Sequence, residues 1–355
     1  MPPRNGDYIP TLAIRPSEMN GLEYLPGLSK DKMVPIILLA PWASSRSLEK
    51  ALERVEKAFP RRRFFLDIDR DYAPTNLDSP AQMQWLELRN PSNQFAAWRD
   101  FLVDYPLVMP CLQLEEQTKE DISRQIENTQ RQEREFCLRI ELQRMPQNLN
   151  AAIEALVDIG TADFTVVIEG GWVRDPLMMY TQADGLISGV LANLDGRVPI
   201  AVSCTSAPKT FQDITGVEET PFSNHDLLDQ IRRNTNREIV IYGDWGSTRP
   251  REDGFGRTPL PRIDYPTDDA WYIARNRDEG WDYQRAAQSI VNSPAWDGSL
   301  GIWGEEMIQV TTVNPEFAID TPPKNVAARV NIHLHRQALY GSDISGIDLD
   351  EDWVD

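Results

Sequence analysis

Cysteine and histidine are scarce in this chain, which contains three of each among its 355 residues. So few histidines argue against a zinc enzyme. The cysteines fall inside predicted strands without metal-binding or redox spacing, so we expect buried, reduced thiols at Cys111, Cys137 and Cys204. Two of the histidines form the pair His333-x-His335, which would share one face of a strand but not of a helix.

Long apolar runs and several common catalytic motifs are also absent. No apolar run approaches the length that spans a membrane, and the start, MPPRNGDYIP, lacks the basic and apolar segments of a secretory signal. The chain has no Gly-x-Ser-x-Gly motif and no glycine-rich phosphate loop that ends in Lys-Ser/Thr. We therefore expect a cytoplasmic protein without membrane contact, and neither a serine hydrolase of that kind nor a P-loop protein.

Positive charge is in deficit, because 36 Lys and Arg against 55 Asp and Glu give a net charge of −19. Such a surface repels phosphate backbones, so broad nonspecific nucleic-acid binding is not expected. The only dense basic run, residues 61–63, precedes a predicted strand and is expected to be a solvated loop. Six of the last fourteen residues, 342–355, are acidic, which predicts a flexible tail whose interspersed apolar residues could dock on the rest of the protein.

What the chain does contain is an eightfold recurrence of a short apolar run followed by a stretch of helical character. The runs cover residues 34–41, 64–69, 107–115, 136–141, 164–169, 199–203, 239–244 and 271–275. Strands that alternate with helices at this spacing indicate parallel βαβ units, and eight units in roughly 250 residues predict a (β/α)₈ barrel. The carboxyl ends of its strands would converge at one mouth.

No Gly/Ser linker divides the chain, so a single decorated domain is favoured over two. We predict an N-terminal extension packed on the barrel at 1–33, the barrel at 34–298, a C-terminal addition at 299–341 and the acidic tail at 342–355. The eighth strand has the least regular sequence pattern. We assign it to residues 271–275 and expect an additional β segment at 262–265.

Carboxylates at the predicted strand ends are the first candidate site. Asp67 and Asp69 close strand two, and Glu141, Glu169 and Asp244 close strands four, five and seven. Oxygen ligands of this kind suit Mg²⁺, for which Asp67, Asp69 and Asp244 are the predicted set. They equally suit acid–base chemistry, because crowded like charges raise the pKa of one member. The alternative is that each is a loop-edge carboxylate paired with an arginine.

Arginines inside strands need a partner when they are buried. Arg139 and Arg275 are both predicted to lie in strands. Pairing with Glu141 or Glu169 is the favoured role, and binding of a phosphate or carboxylate at the mouth is the alternative. If the site were catalytic, Arg275 would steady an anionic group.

Two Trp-Gly-acid turns are the most unusual local motifs. GDWGS at 243–247 and GIWGEE at 301–306 combine glycines, an acid and an aromatic ring. Glycine lets the backbone approach a ligand closely, and tryptophan offers a stacking surface, so Trp245, Trp303 and Glu305 are candidate ligand-lining residues. A tight structural turn covered by the tryptophan is the alternative.

Several short segments resemble the beta family proteins of phages and prophages. The N-terminal part of the resemblance is YIPTL at 8–12, Glu18, Gly21, Leu22 and KMVPI at 32–36; the C-terminal part is DWGS at 244–247, RIDY at 262–265, WYIAR at 271–275, WGEEMI at 303–308 and HLH at 333–335. Where the family commonly has Arg-Tyr-Thr at the start of strand eight, this chain has DYPT at 264–267. The resemblance implies a barrel protein of a mobile element, associated with a toxic partner and phage exclusion, and carries over no catalytic residue.

Three functional hypotheses follow. The first is a regulatory binding protein of a phage-defence, exclusion or toxin–antitoxin-like cassette in the host cytoplasm, acting on a protein partner through its acidic mouth and surface. It predicts that the mouth carboxylates are blocked or mismatched, and that the chain co-purifies with a basic partner. The second is a Mg²⁺-dependent hydrolase of a small phosphorylated or nucleic-acid-derived substrate, which predicts carboxylates that share one ion. The third is a glycosidase-like pair of Glu141 and Glu169.

Overall fold

The computed structural model describes residues 3–4, 6–171, 175–208, 210–249 and 259–342. Within them, eight strands form one parallel sheet: β1 Tyr8–Ala13, β2 Ile36–Leu39, β3 Phe64–Ile68, β4 Val108–Pro110, β5 Phe136–Glu141, β6 Phe164–Glu169, β7 Ile200–Ser203 and β9 Val240–Asp244. Three more strands form a separate antiparallel sheet: β8 Gly216–Pro221, β10 Arg262–Pro266 and β11 Ala270–Arg275. The acidic tail predicted at 342–355 lies outside the described residues after position 342.

Helices alternate with the parallel strands and continue after them. The described part of the chain contains α1 Pro16–Glu23, α2 Gly27–Asp31, α3 Glu49–Ala58, α4 Pro80–Leu88, α5 Ser92–Leu102, α6 Lys119–Arg131, α7 Leu149–Ile159, α8 Pro176–Ser188, α9 Asn224–Asn234, α10 Tyr283–Val291, α11 Trp303–Thr311 and α12 Pro322–Ala338. None of these helices has the length and apolar character needed to cross a membrane.

The parallel sheet curls into a nearly closed barrel. Its strand order is β4-β3-β2-β1-β9-β7-β6-β5, and one parallel bridge between Cys111 and Cys137 brings the two end strands together. Residues of alternate position pack inside, among them Ile9, Phe65 and Val167, while the residues between them pack against the helices. Burial on both faces explains the continuous apolar runs of these strands. All three cysteines are buried and free, as expected.

The assignment of residues 271–275 to the eighth barrel strand is wrong. This segment is β11, the central strand of the antiparallel sheet, which pairs with β10 and β8. The missing barrel strand is β1, from the region expected to lie outside the barrel, and it pairs in parallel with β2 and β9. The aromatic and β-branched sequence WYIAR favours a strand in a parallel barrel and in an antiparallel sheet alike. Only the pairing with other strands distinguishes these two assignments. The additional β segment expected at 262–265 is confirmed as β10.

Helix α12 packs closely against α1 beside strand β1, and glycine makes this approach possible. A Cβ atom on Gly21 would lie 2.8 Å from both the carbonyl oxygen of Ala327 and the Cβ of Val330. Asn331 donates a hydrogen bond to the Gly21 carbonyl at 3.0 Å. Because α12 contributes Val330 and Leu334 to the main core, the C-terminal segment is an integral part of the fold.

We expect Gly21→Ala to destabilise the protein, because the added methyl has no room between α1 and α12. Overpacking of this kind costs about 1–3 kcal/mol. The matched control is Gly185→Ala in α8, where nothing lies within 4 Å of the added Cβ. There the higher helix propensity of alanine should stabilise the protein by up to about 1 kcal/mol. Urea-unfolding midpoints that move in the same direction for both variants would contradict the packing argument.

Candidate functional site at the barrel mouth

A buried arginine, Arg139, lies at the centre of the strand-end carboxylates. Because Cys137 faces the barrel interior, alternation along β5 places Arg139 on the same face. Its Nε and Nη2 donate to the two oxygens of Glu169 at 2.7 and 2.9 Å, and its Nη1 donates to Asp67 at 2.9 Å. The bidentate pair with Glu169 is the strongest geometry for such an interaction. The expected pairing of Arg139 is therefore confirmed.

The remaining partners of this cluster lie towards the rim. Glu141 accepts a hydrogen bond from Arg139 Nη2 at 3.2 Å, and its carboxylate lies 3.8 Å from both Arg70 and Arg144. Gln113 donates its amide to Asp67 at 2.7 Å. The structure thus brings together three of the predicted carboxylates, Asp67, Glu141 and Glu169, and each of them contacts a guanidinium group.

Burial and charge act on the carboxylates of this cluster in different proportions. Burial opposes ionisation of Asp67, but the charges of Arg139 and Arg70 and the Gln113 hydrogen bond hold its pKa below the usual value. Burial raises the pKa of Glu169, and the attraction of Arg139 offsets only part of this effect. The surrounding carboxylates raise the pKa of Arg139 despite its burial. The Arg139 guanidinium therefore stays charged. Of the two carboxylates Asp67 and Glu169, Glu169 takes up a proton more easily.

Asp244 does not join this cluster. Ile241 faces the barrel interior and Tyr242 the helices, so Asp244 at the end of β9 faces the helices too. Its carboxylate accepts hydrogen bonds from His333 Nε2 at 2.6 Å, from the Gly246 amide at 2.8 Å and from the Tyr8 hydroxyl. Burial opposes its ionisation, but the His333 contact and these hydrogen bonds lower its pKa.

The predicted magnesium ligands do not fit a common ion. Asp67 is engaged by Arg139 inside the barrel, whereas Asp244 is engaged by His333 outside it. Asp69 is buried in the turn after β3, where its carboxylate accepts a hydrogen bond from the backbone amide of Asp71 at 3.1 Å. No group of three or more His, Cys, Asp or Glu in the described ranges is placed to hold a metal ion.

Arg275 is also held by partners other than the mouth carboxylates. It lies on β11, and its Nη1 donates to the carbonyl oxygens of Gln212 at 3.0 Å and Ile214 at 3.2 Å. Burial and the nearby positive charges of Arg277 and Arg262 lower its pKa. Arg275 thus fastens the loop before β8, and its proposed role in steadying an anion stays a prediction.

The two Trp-Gly-acid turns have different environments. Trp245 is buried inside the barrel with Ile9 and Ile241, where it fills the interior. Trp303 begins α11 and stacks on Tyr24 with ring centres 4.8 Å apart. Glu305 accepts hydrogen bonds from the Tyr265 hydroxyl at 2.6 Å and the Leu300 amide at 3.0 Å.

Trp303 and Glu305 also line a cleft of about 940 Å³ between α11, residues 23–30 and residues 60–62. Residues 60–62 precede β3, so this cleft lies towards the amino ends of the strands and not at the mouth. Ligand binding there stays a prediction. Trp245 is not among the residues that line it.

Two histidines on α12 form contacts that the sequence did not indicate. His333 and His335 are both buried; His333 bonds to Asp244, and His335 Nδ1 lies 2.8 Å from the Ser29 hydroxyl. Burial, with a smaller effect of Arg336, lowers the pKa of His335 to about 4. In the sequence, the HLH pair at 333–335 was the only indication of these contacts. Because the pair lies on a helix, its two side chains contact different partners.

The fold and site together define a class: an α/β protein with a nearly closed parallel barrel whose interior holds an arginine–carboxylate cluster. The model of the Beta protein family matches residues 8–339, nearly the whole chain. This chain therefore belongs to the Beta protein family. It is similar to Protein beta of Enterobacteria phage P4, with 27% identity over 362 aligned residues that cover 98% of each chain.

We expect Arg139→Met to destabilise the protein strongly, because it leaves Asp67 and Glu169 buried without their counter-charge. Removal of one partner from a buried ion pair costs about 3–5 kcal/mol. The control is Arg131→Met, which breaks an exposed pair with Glu127 and should leave the unfolding midpoint near that of the wild type. Equal urea midpoints for the two variants would refute a stabilising role of the cluster.

We expect stability to fall between pH 6.5 and about 4 through His335. Its folded-state pKa is depressed to about 4, so in this window the unfolded chain binds the proton more readily and stability decreases as pH falls. One such group contributes a slope of up to about 1.4 kcal/mol per pH unit. When the free energy of unfolding is measured in urea across this range, its slope against pH should be shallower for His335→Gln than for the wild type. An unchanged slope would contradict the assignment.

Proposed function

We propose that this chain is a regulatory binding protein of a phage-defence, exclusion or toxin–antitoxin-like cassette encoded by a phage or prophage. Its family membership and its likeness to Protein beta of phage P4 support a phage or prophage setting. The observation that carries a binding role is the occupation of the mouth carboxylates Asp67, Glu141 and Glu169 by Arg139. Carboxylates held this way contribute to the fold, and each would have to give up a guanidinium contact before it could share a metal ion.

The proposal includes a complete (β/α)₈ barrel as its scaffold, acting in the host cytoplasm. Eight parallel strands with alternating interior and helix-facing residues support it, as does the bridge between β4 and β5. In such a barrel the interior is a packed core rather than a channel. Recognition of a partner would therefore use loops, the rim of the mouth and the outer surface.

Two features of the surface favour a protein partner that is basic and offers apolar contacts. The net charge of −19 attracts positive partners and speeds their encounter. Val313 and Phe317, between α11 and α12, are 78% and 80% exposed. Tyr24, half exposed, stacks on Trp303 and lines one groove together with Phe317. Exposed apolar side chains grouped in this way commonly mark a surface that binds another protein.

Co-expression with the neighbouring genes of its own locus tests this proposal. We expect affinity purification of this chain to retain a basic protein from the locus, and recovery to fall as salt rises, because screening weakens charge attraction. Phe317→Ser, at an exposed position, should reduce recovery without altering the unfolding midpoint. Its control is Leu77→Ser, also exposed, in the loop before α4. Failure to retain any product of the locus at low salt would overturn the proposal.

Truncation after Gly341 tests the contribution of the acidic residues that follow. If these residues attract the partner, the shortened chain should recover less of it at low salt, and the difference should shrink at high salt. Unchanged recovery would assign binding to the rest of the surface. The efficiency of phage plating on cells that carry the locus, with and without this chain, then measures whether phage exclusion depends on it.

A Mg²⁺-dependent hydrolase is the alternative, and thermal melting distinguishes it. Ligands that bind the native state raise its melting temperature. Because Asp67 and Asp244 face different sides of the sheet and already have partners, we expect no shift with Mg²⁺ or Mn²⁺. A shift in the wild type that disappears in Asp67→Asn but persists in Asp71→Asn would support the hydrolase and contradict the binding proposal.

A further inference from the structure

A second cleft, at the carboxyl ends of β1, β2 and β3, has the chemistry of a small-molecule site. Its volume of about 550 Å³ falls in the range of pockets that hold small ligands. Residues 14–16, 41–46 and several residues from 72 to 82 form its walls. These segments follow the three strands directly, which is where barrel and open-sheet proteins alike place their ligands.

Two arginines line this cleft, and their charges are not fully neutralised. Arg46 is exposed and makes no hydrogen bond or ion pair with any described residue. Among the described residues, Arg15 makes its contacts through Nη1, which lies 3.2 Å from Glu18 and 3.5 Å from the Arg249 carbonyl. Among the described residues that line the cleft, Asp78 is the one carboxylate. The lining itself thus holds two arginines to one carboxylate, in a protein of net charge −19.

The rest of the lining supplies neutral hydrogen-bonding groups and two aromatic rings. The polar groups belong to Ser44, Ser45, Thr75, Asn76, Ser79 and Gln82, and the rings to Trp42 and Tyr72. Gln82 accepts the amides of Thr75 at 2.8 Å and Asn76 at 2.9 Å, which fixes this loop against α4. Ser44 has a φ of 60°, a costly conformation that tends to occur at binding sites.

We propose that this cleft binds a small phosphorylated molecule. Arginine guanidinium groups match phosphate oxygens in charge and geometry. The hydroxyl and amide groups suit a polar body such as a sugar. The half-buried ring of Trp42 suits a flat group on the face opposite Arg54, whose guanidinium lies 5.0 Å from the ring centre. A phosphate ester can therefore engage the arginines, the neutral polar groups and the Trp42 ring, whereas an apolar ligand would leave Arg46 without a counter-charge.

This site is separate from the Arg139 cluster and does not depend on the proposed protein partner. The cleft residues come from the loops after β1, β2 and β3, while Arg139 lies on β5 and contacts β3 and β6. No metal ligand is invoked, so binding is expected in the presence of a chelator. Loss of ligand binding and loss of partner recovery are therefore separate results.

Isothermal titration calorimetry in EDTA tests the site with inorganic phosphate, AMP and adenosine as probes. AMP should bind more tightly than phosphate, and adenosine should bind weakly or not at all. Arg46→Glu should weaken AMP binding by at least about tenfold, the loss expected for one charged hydrogen bond. The control is Arg233→Glu, an equal charge change at an exposed position in the last turn of α9, in the lining of neither cleft, which should bind AMP normally.

Arg46 makes no hydrogen bond or ion pair with any described residue, so the melting temperature of its variant should equal that of the wild type. If phosphate binds as tightly as AMP, the result supports binding by the arginines but contradicts the proposed contact with Trp42. The affinity of Trp42→Ala for AMP tests that contact independently. Adenosine that binds as tightly as AMP would overturn the assignment of a phosphate site. So would equal losses in Arg46→Glu and Arg233→Glu, or the absence of binding by both phosphate and AMP at millimolar concentration.

Discussion

The ion cluster around Arg139 is the constraint on which the barrel mouth depends. Several kcal/mol per ion are needed to bring charges out of water, so a buried arginine persists only with carboxylates placed to meet each donor. Glu169 meets two donors of Arg139, and Asp67 meets a third. Since Asp67, Arg139 and Glu169 come from β3, β5 and β6, these bonds fix the relative positions of strands across the barrel end.

A second polar contact connects the C-terminal helix to the barrel. Asp244, at the end of β9, accepts bonds from His333 of α12 and Tyr8 of β1, so three segments far apart in sequence meet at one carboxylate. Strand β1 lies between β2 and β9 in the sheet and under α12. The first and last described elements are thus mutually dependent, which agrees with a family match that runs from residue 8 to residue 339.

The recurrence of apolar runs was sufficient to predict seven of the eight parallel strands, because a strand covered on both faces must be apolar throughout. The eighth was misplaced. Tyr8–Ala13 contains a proline and precedes the expected first strand, while β11 has a strongly strand-like sequence. Local preference cannot separate a barrel strand from a strand of an added antiparallel sheet, because the difference lies in which distant segment supplies the hydrogen bonds.

The site was predictable in part for a similar reason. Strand ends in a parallel barrel meet at one mouth, so Asp67, Glu141 and Glu169 were expected to be neighbours, and they are joined through Arg139. Asp244 ends a strand as well, yet its side chain faces the helices. The face depends on register, since a shift of one residue reverses every side chain, and register is set by long-range pairing. His333 was invisible as its partner because 89 residues separate them.

Under the proposed binding role, a barrel mouth whose carboxylates are held in ion pairs leaves recognition to the periphery of the barrel. Trp245 fills the interior and Arg139 neutralises the strand ends, so the described surfaces with unsatisfied chemistry lie elsewhere. One is the arginine-lined cleft above β1–β3, and another is the apolar group around Phe317. The first suits a small anion and the second a protein, and they belong to different parts of the chain. A protein with both surfaces could report the presence of a small phosphorylated molecule to a partner, provided that occupancy of the cleft changes the affinity of that partner.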